Sequence, residues 1–252
     1  MNLLLSEWLK TKHTLIRWFI FFMPVCISAC IIMYLSLRPE LSFDFVYEGF
    51  YIIWTTIIIP IGVSVLTGFL IHEEEQAGDF NGFLNTGISK GKLYIGKLGF
   101  SAISLTVCTT ITTLSLCIGL NIVLTDFVNS FLFAMSSLLC VIGALPILAI
   151  HLWISFRWGM GASIGTGICG ILMAVLIGTT GLGDKIWMLI LWAYPVKMAM
   201  FPMAYSLLPS TMLVELTIQF ILEFTLSIGW FVIFLIGGMI WFSKWEGRKY
   251  GE

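Results

Sequence analysis

Charge is scarce in this sequence. Of its 252 residues, 11% are Asp, Glu, Lys or Arg, against roughly a quarter in a typical soluble domain. A soluble fold of this length would need a polar skin that these few residues cannot supply. Neither sign dominates, with 13 Lys and Arg against 14 Asp and Glu, so there is no electrostatic footprint for nucleic acid. Cysteine is sparse as well. Cys26, Cys30, Cys108, Cys117, Cys140 and Cys169 all lie inside apolar stretches, which reads as helix filler rather than a disulfide framework, and their spacing suits no metal. No Asn-x-Ser/Thr acceptor occurs. Catalytic patterns are missing too: there is no Gly-x-Ser-x-Gly, no Ser/His/Asp set and no carboxylate pair on one face of an apolar helix. Nor is there an inverted hydropathy repeat of the secondary-transporter kind. A chain with no chemistry of its own has to take its energy from elsewhere.

Apolar residues are what the sequence has in abundance: 59% are hydrophobic, and the mean hydropathy is +1.00. The expected fold is therefore an all-α integral membrane protein, a single transmembrane domain over 1–252. A bilayer core of ~30 Å takes about 20 apolar residues as helix. Six stretches qualify: Leu15–Leu37, Phe50–Ile71, Leu98–Val123, Ser130–Ser155, Ala162–Leu182 and Thr217–Phe242. The first is too long for a signal peptide and has no cleavage pattern after it. A seventh stretch, Ile186–Leu208, contains Pro195, Pro202 and Lys197 and is followed by Pro209, which a spanning helix tolerates poorly. With six spans and both termini inside, only Arg38, Lys185 and Lys197 of the basic residues fall outside. A seventh span would send Lys244, Arg248 and Lys249 outside. The positive-inside rule thus favours six spans, with an outer re-entrant segment over 183–216. A bacterial plasma membrane suits such a chain.

Several segments could carry mechanism. Residues 1–14 read as an interfacial amphipathic helix, with Leu4, Leu5, Trp8 and Leu9 on one stripe and Ser6, Glu7, Lys10 and Thr11 on the other. The cytoplasmic loop over 72–92 carries His72, Glu73, Glu74 and Glu75, then Gly78, Asp79, Phe80 and Phe83, then Lys90 and Lys92, with Lys97 beyond. Acid before base suits a short helix and its dipole, and a loop of this kind could dock a soluble subunit. Gly82 and Gly87 have the glycine spacing of a phosphate-binding loop, but Ile88 and Ser89 follow in place of Lys and Ser/Thr, so nucleotide binding in this chain is rejected. His72 lacks a second histidine, which disfavours a metal site. Glu223 and His151 lie in apolar stretches, where ionisable residues are functional candidates by default; if the last span begins later Glu223 lies at the interface instead, and His151 reads as a neutral histidine bonded to a neighbouring helix. Gly161 and Gly165 give small-xxx-small spacing, a sign of close helix packing within the chain or at a dimer face.

This layout resembles the six-span permease subunits of type-2 ABC exporters. Ser6-Glu7-Trp8-Leu9-Lys10-Thr11-Lys12 looks like their interfacial N-terminus, and His72 to Phe80 followed by Lys97-Leu98 looks like their coupling-helix loop. The details are nearest the E- and G-type permeases of lantibiotic self-immunity exporters, the MutG-like branch first. Many of these permeases carry proline and arginine after the coupling helix, where Gly87 and Lys90 stand here. The resemblance implies no cofactor in this chain, and ATP and Mg in a separate ABC ATPase present in two copies. It implies a second six-span permease as heterodimer partner and an amphipathic peptide drawn from the lipid bilayer as cargo. Replacing Glu74 and Glu75 by alanine is then expected to weaken ATPase assembly while leaving membrane insertion intact. Other readings are a permease for another peptide or drug such as bacitracin, and a non-transporting scaffold or sensor. An intramembrane enzyme is disfavoured, since no site can be assembled.

Overall fold

The computed structural model describes residues 3–38, 41–78, 80–84, 87–123, 128–183 and 186–247, and every regular element among them is helical. A short helix α1 (Leu3–Lys10) and a 3-10 turn lead into α2 (Leu15–Ser36). Helix α3 (Phe43–Ile53) runs through a π-helical turn (Trp54–Ile58) into α4 (Ile59–Gln76). It starts earlier than the expected Phe50. Ser42 caps it by accepting from the Phe45 N–H at 3.4 Å, and Asp44 sits in its first turn, both favourable at a helix start. The π-helical turn falls just before Pro60, which has no N–H to continue the ladder.

After the four-residue α5 (Asn81–Leu84) comes α6 (Lys90–Val123), which begins a full two turns before the expected Leu98. Helix α7 (Ser130–Met173) continues through a second π-helical turn (Ala174–Gly178). A 15-residue α8 (Ala193–Leu207) and the long α9 (Ser210–Ser243) complete the chain. Among the described residues five helices are long and apolar enough to cross a membrane: Ile16–Ser36, Phe43–Gln76, Lys90–Val123, Ser130–Gly178 and Ser210–Ser243. The fourth, of 49 residues, contains the stretch expected as the fourth crossing and all but the last four residues of the stretch expected as the fifth.

That helix is not continuous. Gly159 has φ +88° and ψ −177°, a region essentially closed to other residues. The two arms fold back on each other there. Nδ1 of His151 lies 3.1 Å from Oγ of Ser163, although twelve residues of straight helix would separate them by about 18 Å. Helix α4 packs into this hairpin: Ser163 donates to the Ser64 carbonyl at 3.0 Å, and Ser155 approaches Thr67 at 3.4 Å. A Cβ on Gly167 would strike the Ser64 side chain and come within 2.9 Å of the Pro60 carbonyl oxygen. Close packing within the chain therefore falls on Gly167. The expected pair, Gly161 and Gly165, has nothing within 4 Å of an added Cβ, because both point away from the bundle.

The core is aromatic and hydroxylic. Tyr47, Tyr51, Trp54 and Phe133 are buried together. Tyr51 donates to the Phe133 carbonyl at 2.6 Å and lies 2.9 Å from Ser137, which in turn meets Thr113 at 2.7 Å. These bonds tie α3, α6 and α7 where apolar burial alone would not fix their register.

One end of the bundle gathers the segments of functional interest. Lys90 donates to the Trp245 carbonyl at 2.5 Å, so the start of α6 meets the end of α9. The Phe80 ring lies 4.9 Å from Trp245, and Phe156, just before the turn at Gly159, lies 5.3 Å from the same ring.

Candidate functional site

At this end α1 meets α4 and α6 through buried charge. Lys97, on the second turn of α6, is 1% exposed. Its ammonium donates to Glu7 Oε2 at 2.6 Å and to Glu74 Oε1 at 2.5 Å. Lys10 donates to the same Glu74 oxygen at 2.6 Å and lies 3.4 Å from Glu7 Oε1. Two carboxylates and two ammoniums thus form one quartet spanning three helices. Burying an isolated charge here would be very costly, and mutual pairing with hydrogen bonds offsets that cost. Burial pulls the Lys10 pKa down, but the Glu74 and Glu7 carboxylates outweigh this and hold it above its ordinary value. The quartet borders a polar cleft of about 490 Å³ that Thr14, Glu73 and Ala77 also line.

The expected placement of the acidic run is corrected by the structure. Glu73, Glu74 and Glu75 do not open a short helix. They occupy the last turn of α4, where a helix dipole disfavours acid. Lys10 and Lys97 supply the compensating charge from other elements. His72 joins the same turn, with Nδ1 3.5 Å from Glu75 Oε2 and Nε2 3.0 Å from the Gln76 amide nitrogen. Gly78, at φ +126°, lets the chain leave α4. Phe80 follows at φ +65° and is 1% exposed. It plugs the loop into the Phe156 and Trp245 rings, so it anchors the loop and does not sit on its outer face. Phe83 lies on α5. Asp79 lies outside the described residues.

Helix α1 is oriented opposite to a simple polar-out reading. Glu7 and Thr11 are buried against the protein, while Leu5 and Leu9 are exposed. The charge of Glu7 thus faces the bundle, and Leu5 and Leu9 face outward. Trp8 is half-buried, with the Arg17 guanidinium 4.4 Å over its ring and Phe21 edge-on at 5.9 Å. Arg17 also donates to the Trp8 carbonyl at 2.6 Å, clamping α1 to α2.

Two further candidates lie elsewhere. His151 is fully buried at the hairpin, edge-on to Trp192 at 6.0 Å. Glu223, 4% exposed, accepts from the Gln219 amide at 3.0 Å on α9. Neither reaches the quartet. Sequence reasoning put Glu7 and Lys10 on the polar stripe of the N-terminal helix and Lys97 among the basic residues that follow the acidic run. The available signal was Lys97 itself, a lysine running straight into the apolar stretch from Leu98.

A family profile described as ABC-2 family transporter protein matches residues 3–159, more than half of the chain. No curated protein and no solved structure matches it.

Proposed function

The chain belongs to the ABC-2 transporter family, and from that premise we propose that it is the permease subunit of an ATP-driven exporter that expels a lantibiotic-type antimicrobial peptide from the membrane. A separate ABC ATPase, in two copies, supplies ATP and Mg chemistry, and a second six-span permease completes a heterodimer. The cargo rests on the likeness of the N-terminal and 72–80 segments to lantibiotic self-immunity permeases.

Six crossings fit this reading. A 49-residue helix would run about 74 Å, more than twice the ~30 Å of a bilayer core. The turn at Gly159 divides it into two passes. Helix α8, about 22 Å long, is too short to cross and is assigned to the outer re-entrant segment. The N-terminus, the 72–92 loop and the C-terminal end then share the cytoplasmic face, where most of the basic residues gather.

The observation that carries the proposal is the quartet. Glu7 on α1 and Glu74 on α4 grip the same ammonium on α6. A force applied by the ATPase at the end of α4 cannot move that helix alone, because parting the quartet strands buried charge. Instead it displaces α1, α4 and α6 together. Glu73, at the rim of the cleft, and its neighbour His72 are placed to meet the ATPase while Lys97 holds the lever.

The test is lantibiotic tolerance in a sensitive host, with the chain, its ATPase and its sister permease expressed together. A parallel strain carries an ATPase that cannot hydrolyse ATP. Raised tolerance that requires hydrolysis is the expected result. Unchanged tolerance, despite a membrane complex that hydrolyses ATP, would remove the peptide cargo and leave the permease.

A further inference from the structure

A second polar site lies far from the quartet, between α8 and α9. Lys197, Met200 and Phe201 from α8 face Gln219, Phe220 and Glu223 from α9 across a cleft of about 180 Å³. Phe201 and Phe220 stack at 3.9 Å and close its floor. The Lys197 ammonium lies 5.2 Å over the Trp187 ring. Among the described residues no ion pair joins Lys197 to Glu223. One cleft thus presents a buried carboxylate and an ammonium as separate contact points.

The surroundings restrict what can enter. Phe224, one residue inward of Glu223 on α9, is exposed and apolar, so a ligand reaches the cleft from the bilayer. The volume is below the roughly 300–1,000 Å³ of drug-sized sites and suits a headgroup. About 20 residues, one bilayer crossing, counted back from Lys244 reach Phe224. This puts Glu223 near the level of the outer headgroups, a placement that rests on the proposed orientation of α9.

We propose that this cleft binds the headgroup of an ethanolamine phospholipid, whose ammonium donates to Glu223 while its phosphate pairs with Lys197. The charges select this occupant. A purely cationic group would pair with Glu223 but not with Lys197, and an anionic one with Lys197 but not with Glu223. A choline headgroup has the right charges but no N–H to satisfy a carboxylate removed from water. Bound there, the lipid pins α8 against α9 and makes the position of the outer segment depend on headgroup chemistry.

The full chain is reconstituted in vesicles holding equal amounts of ethanolamine and choline phospholipid with the same acyl chains. It is then extracted in mild detergent, and the retained lipid is counted by mass spectrometry. The ethanolamine lipid is expected to be enriched roughly tenfold, the worth of one charge-assisted hydrogen bond. N-methyl and N,N-dimethyl headgroups should fall stepwise between the two, a comparison that needs no variant. Glu223→Gln should return retention to the input ratio. Lys197→Gln should lower retention of both lipids with little change in their ratio. Retention at the input ratio by the unaltered chain, or an undiminished preference in Glu223→Gln, overturns the proposal. So does displacement of the lipid by a cationic amphipathic peptide with no headgroup preference, which would give the cleft to the cargo. Assembly with the ATPase depends on the opposite end of the molecule and is read separately, so failure here leaves the permease reading standing.

Discussion

Replacing Lys97 by methionine would leave Glu7 and Glu74 buried with no cation between them apart from the half-exposed Lys10. Stranding buried charge of this kind costs about 3–5 kcal/mol, on the order of 10 °C in melting temperature for a chain of this size. Thermal unfolding of the purified chain in detergent should show that fall. Adding Glu7→Gln and Glu74→Gln to Lys97→Met should recover most of it, because neutral amides carry no charge to strand. Lys10→Ala should cost under about 1 kcal/mol, since its side chain is 44% exposed and solvent screens its pairing. The raised pKa of Lys10 fixes the sign of any pH effect: its pairing is fully present below the ordinary lysine value of 10.5 and is lost only as pH climbs through the higher folded value. Across neutral pH the contact is constant. The sequence showed every member of this quartet but not the pairing. Glu7 and Lys97 are 90 residues apart, and helical periodicity reports which residues share a face, not which helix covers that face.

At the scale of elements, the hairpin at Gly159 shows what periodicity can and cannot reveal. The apolar pattern on either side, and the charge of Arg157 between, marked a boundary between two spans. The angle of the turn depends on one backbone position, φ +88° at Gly159, and four other glycines within eleven residues offered the same freedom. Gly159→Ala should destabilise by about 1–3 kcal/mol, the cost of forcing a side chain into that region. Gly165→Ala, which meets open space, should stay within about 0.5 kcal/mol of the parent. The comparison is made by thermal unfolding of both variants in the same detergent. A neutral Gly159→Ala would mean the two arms do not turn there. The acidic end of α4 makes the complementary point. Dipole reasoning placed Glu73 to Glu75 at a helix start, and tertiary pairing with Lys10 and Lys97 reversed it, because a buried ion pair outweighs a dipole effect of less than about 1 kcal/mol.

At the scale of the whole molecule, the number of crossings decides which parts can meet the ATPase. If the 49-residue helix Ser130–Gly178 turns at Gly159, the chain crosses six times and both ends are cytoplasmic. If it crosses once, every later segment changes sides. Cysteine labelling in intact cells distinguishes the two, after the six native cysteines are replaced. The chosen positions, Leu37, Ser89, Ser210 and Glu246, are all exposed. With six crossings, Leu37→Cys and Ser210→Cys react with a membrane-impermeant maleimide from outside, while Ser89→Cys and Glu246→Cys react only after permeabilisation. With five crossings Leu37 and Ser89 behave the same way, but Ser210 and Glu246 exchange. The contacts argue for the first outcome. Lys90 reaches the Trp245 carbonyl, and Phe80 and Phe156 both pack on the Trp245 ring. Glu246 therefore lies at the same end as the loop that carries Ser89, the arrangement that six crossings require.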